Sequence, residues 1–327
     1  MKLKKLALAL TISLSAGLAQ AETVNLTLSG GNPGGLWSLL GAGIDRAAKT
    51  SDEASVVTYQ ATGGGFANIG LLEGTRTDLG LAHDAEVKIA LAGGEPFSGP
   101  IENVRAVGYM YNWAPMHFFL RKSIADEYNI KSLADLVTSK APIRIGVNRP
   151  GNITSNVALF MLDQVGATEA DITANGGSIV RAGANDQADL LSDGRIDMVT
   201  NGVFVLHSSF RAIDENNDVV VLSIPQEVIA ATNAEFGTSP FVIPAGSYSK
   251  QPDAVDTVAL GALLVTHDAT SEEQIYSLTK SMVDNMDEIR AVHGSMQQLT
   301  PELFANQALL PFHPGAERAL KEAGLIK

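Results

Sequence analysis

The chain contains 327 residues, of which 45% are hydrophobic and 18% are charged, so it can bury a core large enough for two domains of ordinary size. It contains no cysteine, which excludes thiol catalysis, zinc–thiolate sites and iron–sulfur clusters and suits an exported protein. Its formal net charge is −13. An acidic surface repels nucleic acid and anionic lipid, so we expect no nucleic-acid partner.

Residues 1–21 are predicted to form a secretory signal peptide. Three lysines lie within residues 1–5, an apolar run occupies residues 6–18, and Ala19 to Ala21 supply the small side chains of a cleavage site. The alternative, a membrane anchor, is disfavoured because the apolar run is short for a bilayer. Cleavage after Ala21 leaves 20 basic and 36 acidic residues, a formal charge of −16, and predicts a periplasmic protein.

Short apolar runs alternate with helical stretches in the first part of the mature chain, a pattern typical of an α/β fold with parallel strands. Strands are predicted at residues 24–28, 55–60 and 78–82, with helices at residues 36–48 and 66–73. Two further strands are predicted within residues 104–120.

The second part of the chain repeats the pattern. The predicted strands are residues 143–147, 196–200, 219–224 and 257–266. The predicted helices are residues 132–137, 154–165, 186–192, a long one at 271–293, and a helical carboxyl end, 301–327, broken at 311–315.

The most unusual stretch is SGGNPGGLW, which runs from the first strand into the first helix. It lacks the lysine of a phosphate-binding P-loop and the spacing of a dinucleotide-binding loop, so nucleotide chemistry is disfavoured. Backbone N–H groups at such a helix start suit a carboxylate or a similar anion. The alternative is a tight turn that needs glycine only for its backbone angles.

Similar loops follow other strands. Thr62, Gly63 and Gly64 follow the second strand, and a polar stretch beginning at Asn152 follows the strand at 143–147. Taken alone, Thr62 is more simply an N-cap. In open α/β sheets, ligands bind at the carboxyl ends of strands, so the repetition of these loops predicts a ligand crevice between two halves.

Enzyme and metal signatures are missing from the sequence. The chain carries no H-E-x-x-H or G-x-S-x-G motif, and its six histidines show no helical pairing. We therefore expect no enzyme activity, no cofactor and no metal. Two alternatives stay open: a secreted enzyme on a bilobal scaffold, and a receptor for an ATP-driven importer or a sensor kinase.

Several segments in the same order resemble one family. They are SGGNPGG with LWSLLGAGI, ATGGGFANIGLLEGTRTDLGLAHD, PMHFFLR, KSLADL, VIPAGSY, VALGALLVTHD and PFHPGAERALKEAG. Together they resemble the solute receptors of TRAP transporters in the TAXI branch (TRAP-associated extracytoplasmic immunogenic protein). The resemblance covers essentially the whole mature chain.

The resemblance implies a type II periplasmic-binding-protein fold, with two α/β lobes joined by crossing hinge strands. We expect residues 22–116 plus 267–327 in lobe 1 and residues 117–266 in lobe 2. It also implies capture of a small organic anion, such as a glutamate-like compound or a dicarboxylate. The receptor would deliver this solute to a cation-driven TRAP-type membrane permease.

The resemblance further implies which residues contact the solute. They lie in the glycine-rich first loop, the Thr-Gly-Gly loop, the end of the third strand, and two loops of the second lobe. These residues are Asn32, Gly34, Gly35, Leu36, Trp37, Thr62, Gly63, Gly64, His83, Asp84, Asn152, Thr154, Ser155, Asn156, Thr200, Asn201 and Gly202. The inserted Asn32-Pro33 and the indole of Trp37 depart from the family pattern.

Overall fold

The computed structural model describes residues 22–306 and 309–327. The signal peptide predicted for residues 1–21 lies outside this range. Among the described residues, no helix combines the length and the apolar character needed to cross a bilayer.

The described residues form ten strands and fourteen α-helices. The strands are β1 (Asn25–Ser29), β2 (Val56–Gln60), β3 (Leu79–His83), β4 (Val104–Arg121), β5 (Arg144–Val147), β6 (Ser178–Arg181), β7 (Met198–Gly202), β8 (Val219–Val221), β9 (Ser239–Ile243) and β10 (Val255–His267). The helices are α1 (Leu36–Ser51), α2 (Gly65–Glu73), α3 (Asp84–Ala92), α4 (Lys122–Tyr128), α5 (Asp135–Ser139), α6 (Ile153–Gln164), α7 (Glu169–Ala174), α8 (Ala184–Ser192), α9 (Ser208–Asn216), α10 (Gln226–Phe236), α11 (Glu272–Asp284), α12 (Met286–Arg290), α13 (Pro301–Phe304) and α14 (Pro314–Glu322).

The strands follow the order β2-β1-β3-β10-β4-β7-β5-β6, with β8 beside β4 and β9 beside β10. In the first lobe β1 pairs in parallel with β2 and β3, and in the second lobe β5 pairs in parallel with β6 and β7. Parallel neighbours bring their carboxyl ends to one edge of the sheet. The loops after β1, β2 and β3 therefore begin side by side.

The two long strands belong to both lobes. The first part of β4 pairs antiparallel with β10, and its last residues pair with β7 and β8. In the same way β10 pairs with β3 at one end and with β9 at the other. This is the mixed α/β architecture with two lobes and crossing strands that the sequence predicted.

Several predicted elements have different bounds in the structure: the carboxyl end predicted helical over 301–327 holds, in its described residues, only the short helices α13 and α14, and two further differences have a clear local description. The two strands predicted within residues 104–120 form the single strand β4, whose residues are buried along nearly its whole length. The helix predicted at 271–293 is divided into α11 and α12 at Asn285, where φ is −120° and ψ is 39°. The side-chain amide of Asn285 donates to the carbonyls of Ala47 (3.3 Å) and Ser281 (3.0 Å). Such side-chain hydrogen bonds compete with the backbone hydrogen bonds of a helix and favour its end.

The core of the second lobe is built around aromatic residues. Phe119 on β4 is fully buried and meets Phe210 and Tyr248 edge-on, with ring centroids 5.0 and 4.8 Å apart. Edge-on aromatic pairs contribute beyond the area that they bury. This cluster fixes one end of the crossing strand.

Replacing Phe119 by alanine should lower the free energy of unfolding by about 3–5 kcal/mol, because it removes buried surface and leaves a cavity. Urea unfolding followed by circular dichroism measures the change. As a control, Val242→Ala on the neighbouring β9, where the side chain is 50% exposed, should alter stability by no more than about 0.5 kcal/mol. Equal effects of the two variants would contradict this account.

Candidate functional site

A cavity of about 250 Å³, the first cavity, lies between the lobes. It is bounded by the starts of α1 and α2, the end of β3, and the loop before α6. Nine of the predicted residues line it: Asn32, Gly35, Leu36, Trp37, Thr62, Gly63, Gly64, His83 and Asn152. Four residues that the sequence did not single out also line it: Gly31, Gly65, Glu86 and Gly151.

Two helices begin at this cavity without a side-chain cap. Gly35 precedes α1 and Gly64 precedes α2, and neither residue has a side chain that could accept from the first-turn N–H groups. Gly64 has a φ of +112°, which only glycine adopts without strain. The uncapped N–H groups and the positive ends of both helix dipoles favour a bound anion.

Thr62 connects the two loops. Its hydroxyl lies within hydrogen-bonding distance of the Gly30 carbonyl and accepts from the Gly64 N–H at 3.1 Å. The same hydroxyl lies 2.5 Å from Oδ1 of Asn68. Thr62 therefore holds the starts of α1 and α2 next to each other.

Trp37 forms one wall of the first cavity. Its indole N–H donates to the Tyr111 hydroxyl at 3.1 Å, and its ring lies 4.8 Å from the His83 ring. The side chain is only 9% exposed. These contacts fix the indole in one orientation.

His83 and Glu86 form a charged pair at the cavity. Glu86 Oε2 accepts from the His83 backbone N–H at 2.8 Å and lies 3.1 Å from Nδ1 of the ring. Burial lowers the pKa of His83, but the charges of Glu86 and Asp84 and the hydrogen bond to Glu86 raise it to a net value above the usual one. The Glu86 carboxylate therefore favours the protonated form of the His83 ring.

Glu86 could have been found in the sequence. It stands three residues after His83, at the spacing by which an acidic residue in the first turn of a helix reaches back to the N-cap. Gly65 makes room for it, because a Cβ on Gly65 would lie 1.7 Å from Glu86 Oε2.

Asp84 lies below the cavity and does not line it. Its Oδ2 accepts from the Tyr109 hydroxyl (3.0 Å) on β4 and from the Gly261 N–H (2.7 Å) on β10. Burial raises its pKa to about 7, although the hydrogen bond from Gly261 and the charge of His83 act in the opposite direction. Asp84 thus joins the start of α3 to both crossing strands.

Three of the predicted residues of the second lobe, Asn152, Thr154 and Asn201, form a polar network, of which Asn152 reaches the first cavity. Asn152 Oδ1 accepts from the Thr154 N–H and hydroxyl, at 3.0 and 2.7 Å. Asn201 Oδ1 lies 2.9 Å from the same hydroxyl and 3.2 Å from the Asn148 amide. Thr154, Ser155, Thr200 and Asn201 are buried beneath the loop, whereas Asn156 is exposed on α6.

A second cavity, of about 670 Å³, lies on the other side of the start of α1. Gly34 and Gly202 line it, and Gly35 and Leu36 line both cavities. Within the described part of the chain, no group of three or more His, Asp or Glu side chains is arranged to hold a metal ion.

The two-lobe fold with a cleft between the lobes is similar to the folds of two solved proteins, one of which is a solute-binding protein. MatC from Rhodopseudomonas palustris, solved with bound malate, has this fold: it is 14% identical over 92% of this chain and 96% of that chain, with a TM-score of 0.54. A TctC solute-binding protein from Polaromonas, solved without ligand, is 13% identical over 83% of this chain and 87% of that chain, with a TM-score of 0.50. The profile of the NMT1-like family matches residues 28–324, so the chain belongs to the NMT1-like family.

The raised pKa of Asp84 predicts a pH-dependent stability. Between the ordinary value of 3.8 and about 7, the folded chain holds a proton that the unfolded chain releases. Folded wild type therefore loses stability as pH rises through this window, by up to about 1.4 kcal/mol per pH unit. Because asparagine does not ionise, Asp84→Asn should gain stability relative to wild type from pH 4 to pH 7.

Urea unfolding of both proteins at several pH values measures this difference. His83 titrates in both proteins, but its pKa is raised in part by the charge of Asp84, so the difference between the two proteins reports the coupled titration of both groups. Asp126→Asn, which alters a mostly exposed carboxylate paired with Lys122, should show no such trend. A difference between Asp84→Asn and wild type that stays constant with pH would refute the assignment.

Proposed function

We propose that the chain is an extracytoplasmic receptor that traps a small organic anion between its lobes. The observation that carries this proposal is the meeting of two uncapped helix starts, at Gly35 and Gly64, in one cavity. Each such N-terminus stabilises an anion by about 0.3–1 kcal/mol, and by up to about 2 kcal/mol when partly buried. A carboxylate between the two helices replaces its water with backbone N–H groups.

The side-chain charges around the cavity leave the helix starts as its main source of positive potential. Among the described lining residues there is no lysine or arginine, and the acidic residue Glu86 lies beside His83, whose pKa is raised. A solute that carries an ammonium group next to its carboxylate fits as well, because Glu86 can accept from it. Small carboxylates of the glutamate-like and dicarboxylate kinds are therefore our first candidates.

A binding panel tests the proposal. Isothermal titration of the mature chain, residues 22–327, against amino acids, 2-oxo acids and dicarboxylates should give saturable binding of at least one acid. The amide analogue of that acid should bind at least about tenfold more weakly, because an uncharged group gains little from the helix dipoles. Absence of binding across the whole panel would refute the proposal.

Gly35→Asp gives a sharper test, because it places a carboxylate where the ligand should bind. Gly35 has an ordinary φ of −78°, so the aspartate can cap α1 and should raise the free energy of unfolding by about 0.5–1 kcal/mol. The same side chain should weaken solute binding by at least about tenfold through repulsion and occupation of the N–H groups.

Gly183→Asp is the matched control. Gly183 precedes α8, also without a side-chain cap and with an extended backbone, but it lies away from both cavities. It should leave affinity unchanged and stabilise the fold less, because its Cβ would lie 3.6 Å from Asp186 Oδ2 in the first turn of α8. If Gly35→Asp binds the solute as tightly as Gly183→Asp, the helix starts are not the anion site.

We further propose that the receptor is of the TAXI branch and serves a cation-driven TRAP-type permease in the periplasm after cleavage at Ala21. The ordered motifs, which end in PFHPGAERALKEAG, support this placement. They also support the division into lobes at residues 22–116 plus 267–327 and 117–266. Proteoliposomes that contain a TRAP-type permease should take up solute when the receptor and an ion gradient are supplied without ATP. Uptake that requires ATP would contradict this partner.

A further inference from the structure

The second cavity opens at the same helix start as the first. It lies between the beginning of α1, strand β4, the segment that follows β7, and residues 293–295. Because Gly35 and Leu36 line both cavities, the two cavities adjoin at the start of α1. The second cavity, at about 670 Å³ against about 250 Å³, is the roomier of the two.

The hydrogen-bonded pair of Trp37 and Tyr111 stands between the cavities. Trp37 lines the first cavity and Tyr111 lines the second, and the indole donates to the phenol at 3.1 Å. Both side chains are at least nine-tenths buried. The boundary between the cavities therefore has a rigid aromatic side.

The floor of the second cavity is apolar and aromatic. Tyr111 and Phe204 meet edge-on with ring centroids 5.0 Å apart, and Phe204 lies 5.9 Å from the His293 ring. Phe204 thus bridges the crossing strand and a segment near the carboxyl end. Such a surface suits the carbon body of a ligand.

Two histidines that line this cavity present hydrogen-bond donors. Nδ1 of His207 accepts from the Ser209 N–H (3.3 Å), and Nδ1 of His293 accepts from the Ser295 N–H (3.1 Å), so each ring carries its proton on Nε2. Burial, together with the nearby His293, lowers the pKa of His207, so the fixed positive charge is that of Arg211.

No acidic side chain is among the described residues that line the second cavity, although the whole chain carries 36 aspartates and glutamates. The nearest carboxylate to Arg211 is that of Glu215, at 3.8 Å, and the Arg211 side chain is 60% exposed. The guanidinium is therefore free to take a second anionic group.

We propose that the second cavity is a distal subsite for the same solute, and that this solute is an extended organic diacid. One carboxylate lies at the starts of α1 and α2. The apolar or aromatic body lies over Tyr111 and Phe204, and the second acidic group meets Arg211 with the two histidines. This assignment rests on the proposed function, since the first carboxylate uses the site defined there.

A length series tests the subsite. Linear dicarboxylates from four to ten carbons, aromatic para-dicarboxylates, and monocarboxylates of equal length are titrated calorimetrically into the mature chain. Affinity should rise by about tenfold or more from the four-carbon diacid to the best longer or aromatic one. A longer monocarboxylate should bind more weakly than the diacid of equal length.

Two substitutions test which residues contribute to the binding of the long diacids. Arg211→Gln should weaken the long diacids by about tenfold and leave the four-carbon diacid within about twofold. Phe204→Ala should reduce affinity for the same long compounds. Because Phe204 is buried, its variant is checked by thermal melting, whereas Arg211 is exposed enough to be replaced without unfolding.

Arg181→Gln is the matched control, since this exposed arginine of the second lobe pairs with Glu169 and lines neither cavity. It should change no affinity. If acids bind but affinity is independent of length, or if Arg211→Gln affects short and long diacids alike, the distal subsite is overturned and the proposed function stands. If no acid of any length binds, both are overturned.

Discussion

The antiparallel pairing of β4 with β10 is the constraint on which the site depends. Each strand begins in one lobe and ends in the other, so the two lobes share their backbone hydrogen bonds at this point. Asp84 accepts from a group on each strand, and this carboxylate opens α3 directly after the cavity residue His83. The cavity is therefore held at a fixed position relative to the hinge strands, while the remaining parts of the lobes can rotate about them.

Because the protein is acidic overall, the positive potential that binds an anion must come from groups at the site itself. Here it comes from backbone N–H groups. The mature chain has a formal charge of −16, but such charge acts over distances that salt screens, whereas N–H groups act within hydrogen-bonding range. Glycine at Gly35 and Gly64 leaves these groups free, since serine, threonine or aspartate at the same positions would use them. The paired His83 and Glu86 add little net charge.

The loops at strand ends could be predicted from the sequence because glycine, threonine and asparagine stand out between apolar strands. Nine of the residues that these loops and the family resemblance indicated line the first cavity. The roles of the buried side chains beneath the site could not be predicted from the sequence. Tyr111 lies in a strand that is apolar almost throughout, and nothing local distinguishes it from Tyr109. Asp84 and Asn201 stand at strand ends, but only packing between distant segments decides that they lie under the site.

Helix α3 connects the cavity, the hinge strands and the opposite lobe. Its first residues carry Asp84 and Glu86, and further along the helix the Lys88 ammonium donates to the Ala234 carbonyl on α10. A rotation of the second lobe must therefore change the surroundings of the same helix whose start borders the ligand. A ligand shifts the equilibrium between open and closed lobes only by its difference in affinity for them. Because the first cavity takes Asn152 from the second lobe and His83 from the first, a solute that contacts both binds the closed arrangement more tightly.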